Sequence, residues 1–172
     1  MPTRRLTLLA LTALPLLTAC GFRLRGSNVR PAFDSLRLIA PGETATVLQL
    51  AALLQASGVR VVGTGAAPAE PGSPSEAVVL TVLQDQRERV VVGTTAAGQV
   101  RELQLRQRFR FQLRTAAGKD LIGATELLQE RELSFTETQV LGKEMEEELL
   151  YTDMQNAVVR QLMTRLAALK GL

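Results

Sequence analysis

The sequence predicts an α+β fold, a two-layer sandwich in which a mostly antiparallel sheet of about four to five strands carries two helices on one face. Three observations support this prediction. Residues 99–115 alternate between apolar and polar side chains, as a strand with one buried face does. Residues 143–169 carry apolar side chains at helical spacing, and residues 35–62 read as strand, helix, strand. The predicted element order is β-α-β-β-β-β-α.

The first half of the domain is predicted to contain a strand at 35–40, a helix at 44–57 and a strand at 59–62. The apolar side chains of the helix recur at helical spacing: Val47, Leu50, Ala51 and Leu54. Gly58 follows the helix, where a glycine commonly ends one. Residues 63–75 are rich in Gly, Pro, Ala and Ser, so we predict a flexible surface loop there.

Three longer strands are predicted over 77–92, 99–115 and 121–135, joined by turns at 93–98 and 116–119. The apolar face of the middle strand is Leu103, Leu105, Phe109, Phe111 and Leu113. Its polar face is Glu102, Gln104, Arg106, Arg108, Arg110, Gln112 and Arg114. The buried stripe predicted for the last helix is Leu150, Met154, Ala157, Val158, Leu162, Leu166 and Leu169. The acidic first turn of that helix suits the positive end of the helix dipole.

Residues 1–19 are predicted to be a lipoprotein signal peptide. Two arginines precede an apolar run at 6–17, which is shorter than the roughly 20 residues of a membrane-spanning helix. The run ends in Leu17-Thr18-Ala19-Cys20, which resembles the bacterial lipobox, in which the cysteine receives lipid. The alternative is an ordinary signal peptide followed by a chance cysteine. We expect cleavage before Cys20 and lipidation of its sulfur.

Residues 20–34 are then expected to form a lipid-anchored tether, and residues 35–172 a single α+β domain. Gly21, rather than Asp, follows the cysteine, which in lipoproteins resembling this one favours export to the outer membrane. The tether carries three arginines: Arg23, Arg25 and Arg30. Two interpretations of them stay open, contact with anionic head groups and a solvated linker.

The composition excludes most catalytic chemistry. The chain has no His, so it lacks the usual imidazole base and metal ligand, and its single Cys excludes an internal disulfide. We predict no catalytic residue, no metal and no cofactor. The formal net charge is +3, but two of the basic residues lie in the predicted leader. Nucleic acid is a poor candidate partner, because an exported lipoprotein does not meet it and no aromatic side chains lie among the arginines on the polar face.

Two clusters of charge on the predicted strands each allow two interpretations. Glu126, Glu130 and Glu132 are candidates for acid/base catalysis, but a hairpin whose paired residue numbers sum to 236 places them opposite Arg106 and Arg110, which predicts ion pairs. The arginines of the polar face pair with neighbouring strands, or they bind the phosphates of a glycolipid. Their residues are Arg106, Arg108, Arg110 and Arg114.

Three stretches of the chain resemble the lipopolysaccharide-assembly lipoprotein family, LptE. They are the lipidated start Cys20-Gly21-Phe22-Arg23-Leu24-Arg25, the turn and alternating strand at 97–111, and the strand, loop and acidic helix start at 131–166. The resemblance implies a protein on the periplasmic side of the outer membrane that plugs the lumen of the LptD β-barrel, assists its folding and binds lipopolysaccharide. It also implies that Lys143, in the loop before the last helix, is a basic contact. The family has a basic residue in the turn before the long strand; this chain has Ala96 and Ala97 there, with Arg101 just downstream.

The predicted function is therefore that of an outer-membrane lipoprotein, anchored through Cys20, that plugs an LptD-type barrel and binds lipopolysaccharide. Lys143, Arg101 and Arg106 are the predicted lipopolysaccharide contacts, through phosphate groups. The alternative is a stand-alone lipid- or substrate-binding lipoprotein of another envelope transport complex. A lone apolar pocket favours the alternative, whereas a broad polar surface favours the plug. A periplasmic hydrolase that depends on Glu126 or Glu130 is a third possibility.

Overall fold

The computed structural model describes residues 30–64, 78–134 and 140–169. The elements follow in the predicted order: β1 Ser35–Ile39, α1 Ala45–Ala56, β2 Arg60–Thr64, β3 Val78–Thr94, β4 Val100–Thr115, β5 Asp120–Ser134 and α2 Val140–Ala167. The predicted signal peptide at 1–19, Cys20, the tether up to residue 29 and most of the predicted loop at 63–75 lie outside the described residues.

The five strands form one mixed sheet in the order β2-β1-β3-β4-β5. β1 pairs in parallel with both β2 and β3, while β3, β4 and β5 form an antiparallel meander. β1 is only five residues long and contacts β3 from Val78 to Thr81. The long strands therefore extend well beyond β1, and the prediction of a mostly antiparallel α+β sheet is confirmed.

Helix α1 begins and ends where its local sequence dictates. The Thr44 side chain accepts a hydrogen bond from the Val47 backbone N–H at 3.3 Å, which caps the first turn. Ser57 ends the helix, and Gly58 follows with a φ of +85°, a conformation that glycine adopts without a steric penalty. The predicted limits 44–57 therefore match the capped helix.

The turns differ from the prediction by a few residues. Gly63 and Thr64, predicted to begin the loop at 63–75, belong to β2 instead, because Thr64 pairs with Leu38 of β1 across an irregularity at Gly63. The predicted turn at 93–98 is shifted to residues 95–99, where the Thr95 and Gly98 backbone N–H groups donate to Gln99 and Thr95 at 2.8 and 2.9 Å. Gly93 lies within β3, at an irregularity opposite Glu102.

The interior contains two apolar clusters on the helix-bearing side of the sheet. The larger one joins β1, α1, the start of β3, the end of β4 and α2 from Val158 onward. The smaller one consists of Leu103, Leu105, Leu133, Tyr151 and Met154, with Leu150 against it. Both helices therefore cover the same face, and α2 runs along the sheet in the direction of β4. The predicted α2 stripe is correct, although Tyr151, Val159 and Met163 are also buried.

Candidate binding surfaces

The face of the sheet opposite the helices is polar, as the alternation of β4 predicts. The five predicted core residues of β4 are buried, whereas Arg106 and Arg108 on the other face are partly exposed. The predicted pairing sum of 236 is confirmed from Glu102 opposite Ser134 to Phe111 opposite Thr125. The register then shifts near the turn, where Arg114 lies opposite Asp120. This register brings charged side chains of three strands onto one surface.

Ion pairs cross-link that surface. The Arg106 guanidinium contacts the Glu130 carboxylate at 2.8 Å, as the pairing sum predicts. It also donates a hydrogen bond to the side-chain amide oxygen of Gln104 at 2.6 Å. Arg108 contacts Glu88 on β3 at 3.1 Å and Glu126 on β5 at 2.6 Å. Hydrogen bonds to these two carboxylates raise the pKa of the Arg108 guanidinium, so its charge is fixed.

The predicted pairing of Arg110 with Glu126 is wrong, although the two residues lie opposite each other. Arg108 faces Leu128, which offers no acceptor, so its long side chain reaches diagonally and takes Glu126 instead. Within the described residues Arg110 makes no ion pair. Arg114 pairs with Asp120 at 2.6 Å. Three of the four arginines therefore support the salt-bridge interpretation of the stripe, and Arg110 keeps an exposed cation on it.

The same contacts bear on the predicted hydrolase. The carboxylates of Glu126 and Glu130 are held by Arg108 and Arg106, the arrangement of cross-strand ion pairs rather than of a free acid and base. Among the residues that the structure describes, no group of three or more His, Cys, Asp or Glu side chains is placed to hold a metal ion.

The predicted lipopolysaccharide contacts fall on two surfaces. Arg101 is exposed near the start of β4 and shares the helix-bearing side with Leu103. Lys143 lies near the start of α2 at the same end of the molecule, and its ammonium contacts Glu146 at 2.7 Å. Arg106 lies on the opposite, polar face, between Gln104 and Glu130. The structure therefore brings Arg101 and Lys143 to one end and keeps Arg106 apart from them.

A polar clamp that the sequence patterns did not reveal holds α2 to the free edge of β3. Arg87 contacts Glu148 at 3.0 Å, and Arg89 contacts Glu147 at 3.2 Å. The Tyr151 hydroxyl donates to the Glu88 carbonyl at 2.8 Å, and the Arg87 guanidinium lies 4.8 Å from the centre of the Tyr151 ring. Burial raises the pKa of the Tyr151 phenol, which keeps it a donor.

Two clefts flank this clamp, and charged side chains line both. One, of about 420 Å³, is lined by Arg87, Arg89, Glu144, Glu147, Glu148 and Tyr151. The other, of about 340 Å³, is lined by Thr44, Ala45, Thr46, Asp85, Arg87, Gln107, Glu148 and Gln155. Burial of these charges against an acyl chain is costly, which disfavours either cleft as an acyl-chain site. In the part of the chain that the structure covers, no helix has the length and apolar character needed to cross a bilayer.

Comparison with known families identifies the chain. The family model of LptE, described as lipopolysaccharide-assembly, matches residues 31–166. The chain belongs to this family. The match spans every described strand and nearly all of α2, so the paired polar face and the candidate cations all lie within the part that is typical of LptE. None of the curated proteins that were searched matches the chain.

Solved structures share the fold of this LptE-family chain. The solution NMR structure of an uncharacterized lipoprotein B from Nitrosomonas europaea is 28% identical, with a TM-score of 0.69 over 86% of this chain and 91% of that one. The crystal structure of rare lipoprotein B from Shewanella oneidensis is 20% identical, with a TM-score of 0.63 over 78% and 95%. A minor lipoprotein from Acinetobacter baumannii is 21% identical, with a TM-score of 0.62 over 80% and 93%. The last two comparisons support the fold alone.

Proposed function

We propose that this LptE-family chain is a non-enzymatic outer-membrane lipoprotein, anchored at the periplasmic face through lipid on Cys20. In this proposal it plugs the lumen of an LptD-type β-barrel and binds lipopolysaccharide on its way to the cell surface. Membership of the LptE family is the observation that carries the proposal. The signal-peptide pattern at 1–19 and the lipobox cysteine support the anchor.

The polar face of β3, β4 and β5 supports the docking of the domain in a barrel. Barrel lumens of this kind are lined by polar side chains, so an element inside one needs a broad polar surface. This face offers side-chain amides beside neutralised ion pairs, for example Gln86 beside the Arg108–Glu126 pair. The paired part of this surface can form hydrogen bonds with a polar wall without burying uncompensated charge, and Arg110 requires an acceptor on that wall.

Purification of the tagged chain in mild, non-denaturing detergent is expected to recover the barrel. Gln86→Trp places a bulky ring on the exposed polar face and is expected to reduce barrel recovery severalfold. Gln161→Trp makes the same exchange on the exposed surface of α2 and is the matched control, expected to leave recovery unchanged. If Gln161→Trp lowers barrel recovery and Gln86→Trp does not, the assignment of docking to the polar face is wrong. The plug role fails if the unsubstituted chain recovers no barrel, and retained lipopolysaccharide binding would then support the stand-alone lipid-binding alternative.

The end of the molecule that holds Arg101 and Lys143 supports the lipid contact. Exposed apolar side chains lie at the same end of the sheet as Arg101, where Val92 is 51% and Val100 is 44% exposed. Cations next to exposed apolar surface complement an amphiphile that carries both phosphates and acyl chains. We propose Lys143 and Arg101 as the main phosphate contacts. Arg106 is a third proposed contact on the opposite face. A lipid phosphate must compete with Glu146 for Lys143 and with Glu130 for Arg106.

Charge reversal tests these contacts by the binding of labelled lipopolysaccharide. Lys143→Glu and Arg101→Glu are each expected to weaken binding by about tenfold, since each removes a charge-assisted hydrogen bond and adds repulsion. Arg106→Gln is expected to have a smaller effect, because it removes one positive charge instead of reversing it and lies on the face opposite to Arg101. Arg131→Glu is the control, an exposed cation of the same half that makes no ion pair within the described residues. Equal losses in the three charge-reversal variants would show a dependence on net charge alone and reject the proposed contacts at Lys143 and Arg101.

A further inference from the structure

The described charges are segregated along the sheet. We define the basic end as residues 30–64, 78–82, 111–125 and 158–169, which surround the larger apolar cluster. It carries seven basic and three acidic side chains. The other described residues carry eight basic and eleven acidic side chains. The domain is therefore an electric dipole, although its described charges nearly cancel.

Two of the seven cations of the basic end are held by its own acidic residues. Asp34 contacts Arg30 at 3.3 Å and Asp120 contacts Arg114 at 2.6 Å, and Glu43 is its third acidic residue. Four other cations make no ion pair with any described residue: Arg60, Lys119, Arg160 and Arg165. Three of the four are exposed, and Arg165 is half-exposed in the last turn of α2.

The sheet spreads these charges over an area rather than a point. Arg60 begins β2 at one edge of the sheet, and Lys119 lies in the turn between β4 and β5 near the other edge. Neighbouring strands are about 4.8 Å apart, so these two cations are separated by roughly 15–20 Å. That width exceeds a single phosphate and corresponds to several lipid head groups.

The position of Arg30, the first described residue, indicates which anionic surface lies near the basic end. Arg30 is at the basic end, with its guanidinium next to Gly58 after α1. The ten residues from Cys20 to Val29 span at most about 35 Å, and two of them are arginines. A lipid on Cys20 would therefore hold Arg30, and the basic end around it, within about 35 Å of a membrane.

We propose that the basic end binds the anionic phospholipid surface of the membrane and orients the domain with its acidic end away from it. Cations close to an anionic leaflet each add to such binding, and an acyl anchor combined with a basic patch holds more firmly than either alone. The electrostatic contact stands independently of the barrel and of lipopolysaccharide. Only the orientation in the cell rests on the proposed lipid at Cys20.

Vesicle flotation tests the proposal with the chain from residue 20 onward carrying Cys20→Ser, which removes the acyl anchor. This chain is expected to bind vesicles that contain about 30% phosphatidylglycerol and not vesicles of phosphatidylcholine alone. Binding is expected to be lost when salt is raised from about 0.05 M to about 0.5 M, because screening shortens the reach of the charges. Equal binding to both vesicle types, or binding that salt does not weaken, would overturn the proposal.

A pair of variants with the same net charge locates the contact. Arg60→Gln/Lys119→Gln removes two positive charges from the basic end and is expected to reduce binding about fivefold or more. Arg131→Glu lowers the net charge equally but lies in the other half, so less than a twofold loss is expected. Thermal melts confirm that both variants are folded. Equal losses would show that net charge acts without orientation and would refute the proposal. Loss of barrel recovery in the double variant, with vesicle binding intact, would assign this end to a protein partner instead.

Discussion

Replacement of Phe109 by alanine is expected to lower the free energy of unfolding by about 3–5 kcal/mol, which few domains of this size tolerate. Phe109 has no exposed surface and belongs to the larger apolar cluster. Its ring centre lies 6.2 Å from that of Phe111, with the two rings tilted by 37°. Truncation leaves a cavity under both β4 and α2 that neighbouring strands hold open. Urea denaturation followed by circular dichroism measures the loss.

Leu128→Ala is the control for this prediction. Leu128 lies on β5 next to Leu127, which pairs with Phe109, but its side chain belongs to the polar face and is 39% exposed. Truncation there removes less buried surface and leaves no enclosed cavity, so a loss below about 1 kcal/mol is expected. If the two variants unfold at the same urea concentration, the two-layer core is not the main source of stability.

Local patterns were enough to predict the sheet and the helices. A strand with one buried face must alternate, so residues 99–115 revealed both the strand and the face that it buries. A pairing sum of 236 then predicted the Arg106–Glu130 pair, although two register irregularities separate that segment from the turn at 116–119. Helix α1 was likewise limited by its own capping residues.

Contacts between distant elements were not predictable in this way. The choice of Arg108 rather than Arg110 as the partner of Glu126 depends on which acceptors lie diagonally across three strands. The clamp between α2 and β3 joins residues about 60 positions apart, such as Arg87 and Glu148. Lys143 and Arg101 lie at the same end of the molecule because α2 runs along β4, and no local pattern specifies that direction.

The polar residues between the two apolar clusters were also missed, although one signal was present. Gln107 is a polar residue among the apolar residues of its β4 face, between Leu105 and Phe109, and it is 1% exposed. Its amide donates to the Asp85 carboxylate at 2.6 Å. The other Asp85 oxygen accepts a hydrogen bond from the Thr44 hydroxyl at the start of α1. Asp85 therefore links β3, β4 and α1 where the two clusters meet.

Removal of this carboxylate by Asp85→Ala is expected to lower the free energy of unfolding by about 2 kcal/mol. The substitution removes two hydrogen bonds to a charged acceptor. The buried Gln107 side-chain N–H then has no acceptor. The Gln107 side-chain oxygen already has no partner among the described residues. Asp153→Ala is the control, because Asp153 is exposed on α2 and makes no ion pair with any described residue, so a change below about 0.5 kcal/mol is expected.

The double variant Asp85→Ala/Gln107→Leu separates the loss of the hydrogen bond from the cost of leaving the buried Gln107 amide without a partner. Replacement of both partners by apolar groups removes the desolvation cost of the buried amide, so the double variant is expected to be more stable than Asp85→Ala alone. Urea denaturation of the unsubstituted chain, Asp85→Ala, Gln107→Leu and the double variant gives the interaction energy of the pair. A double variant less stable than Asp85→Ala would show that Gln107 contributes through packing rather than through its bond to Asp85. A double variant more stable than the unsubstituted chain would show that the polar junction between the two clusters is retained at a cost that an apolar pair avoids.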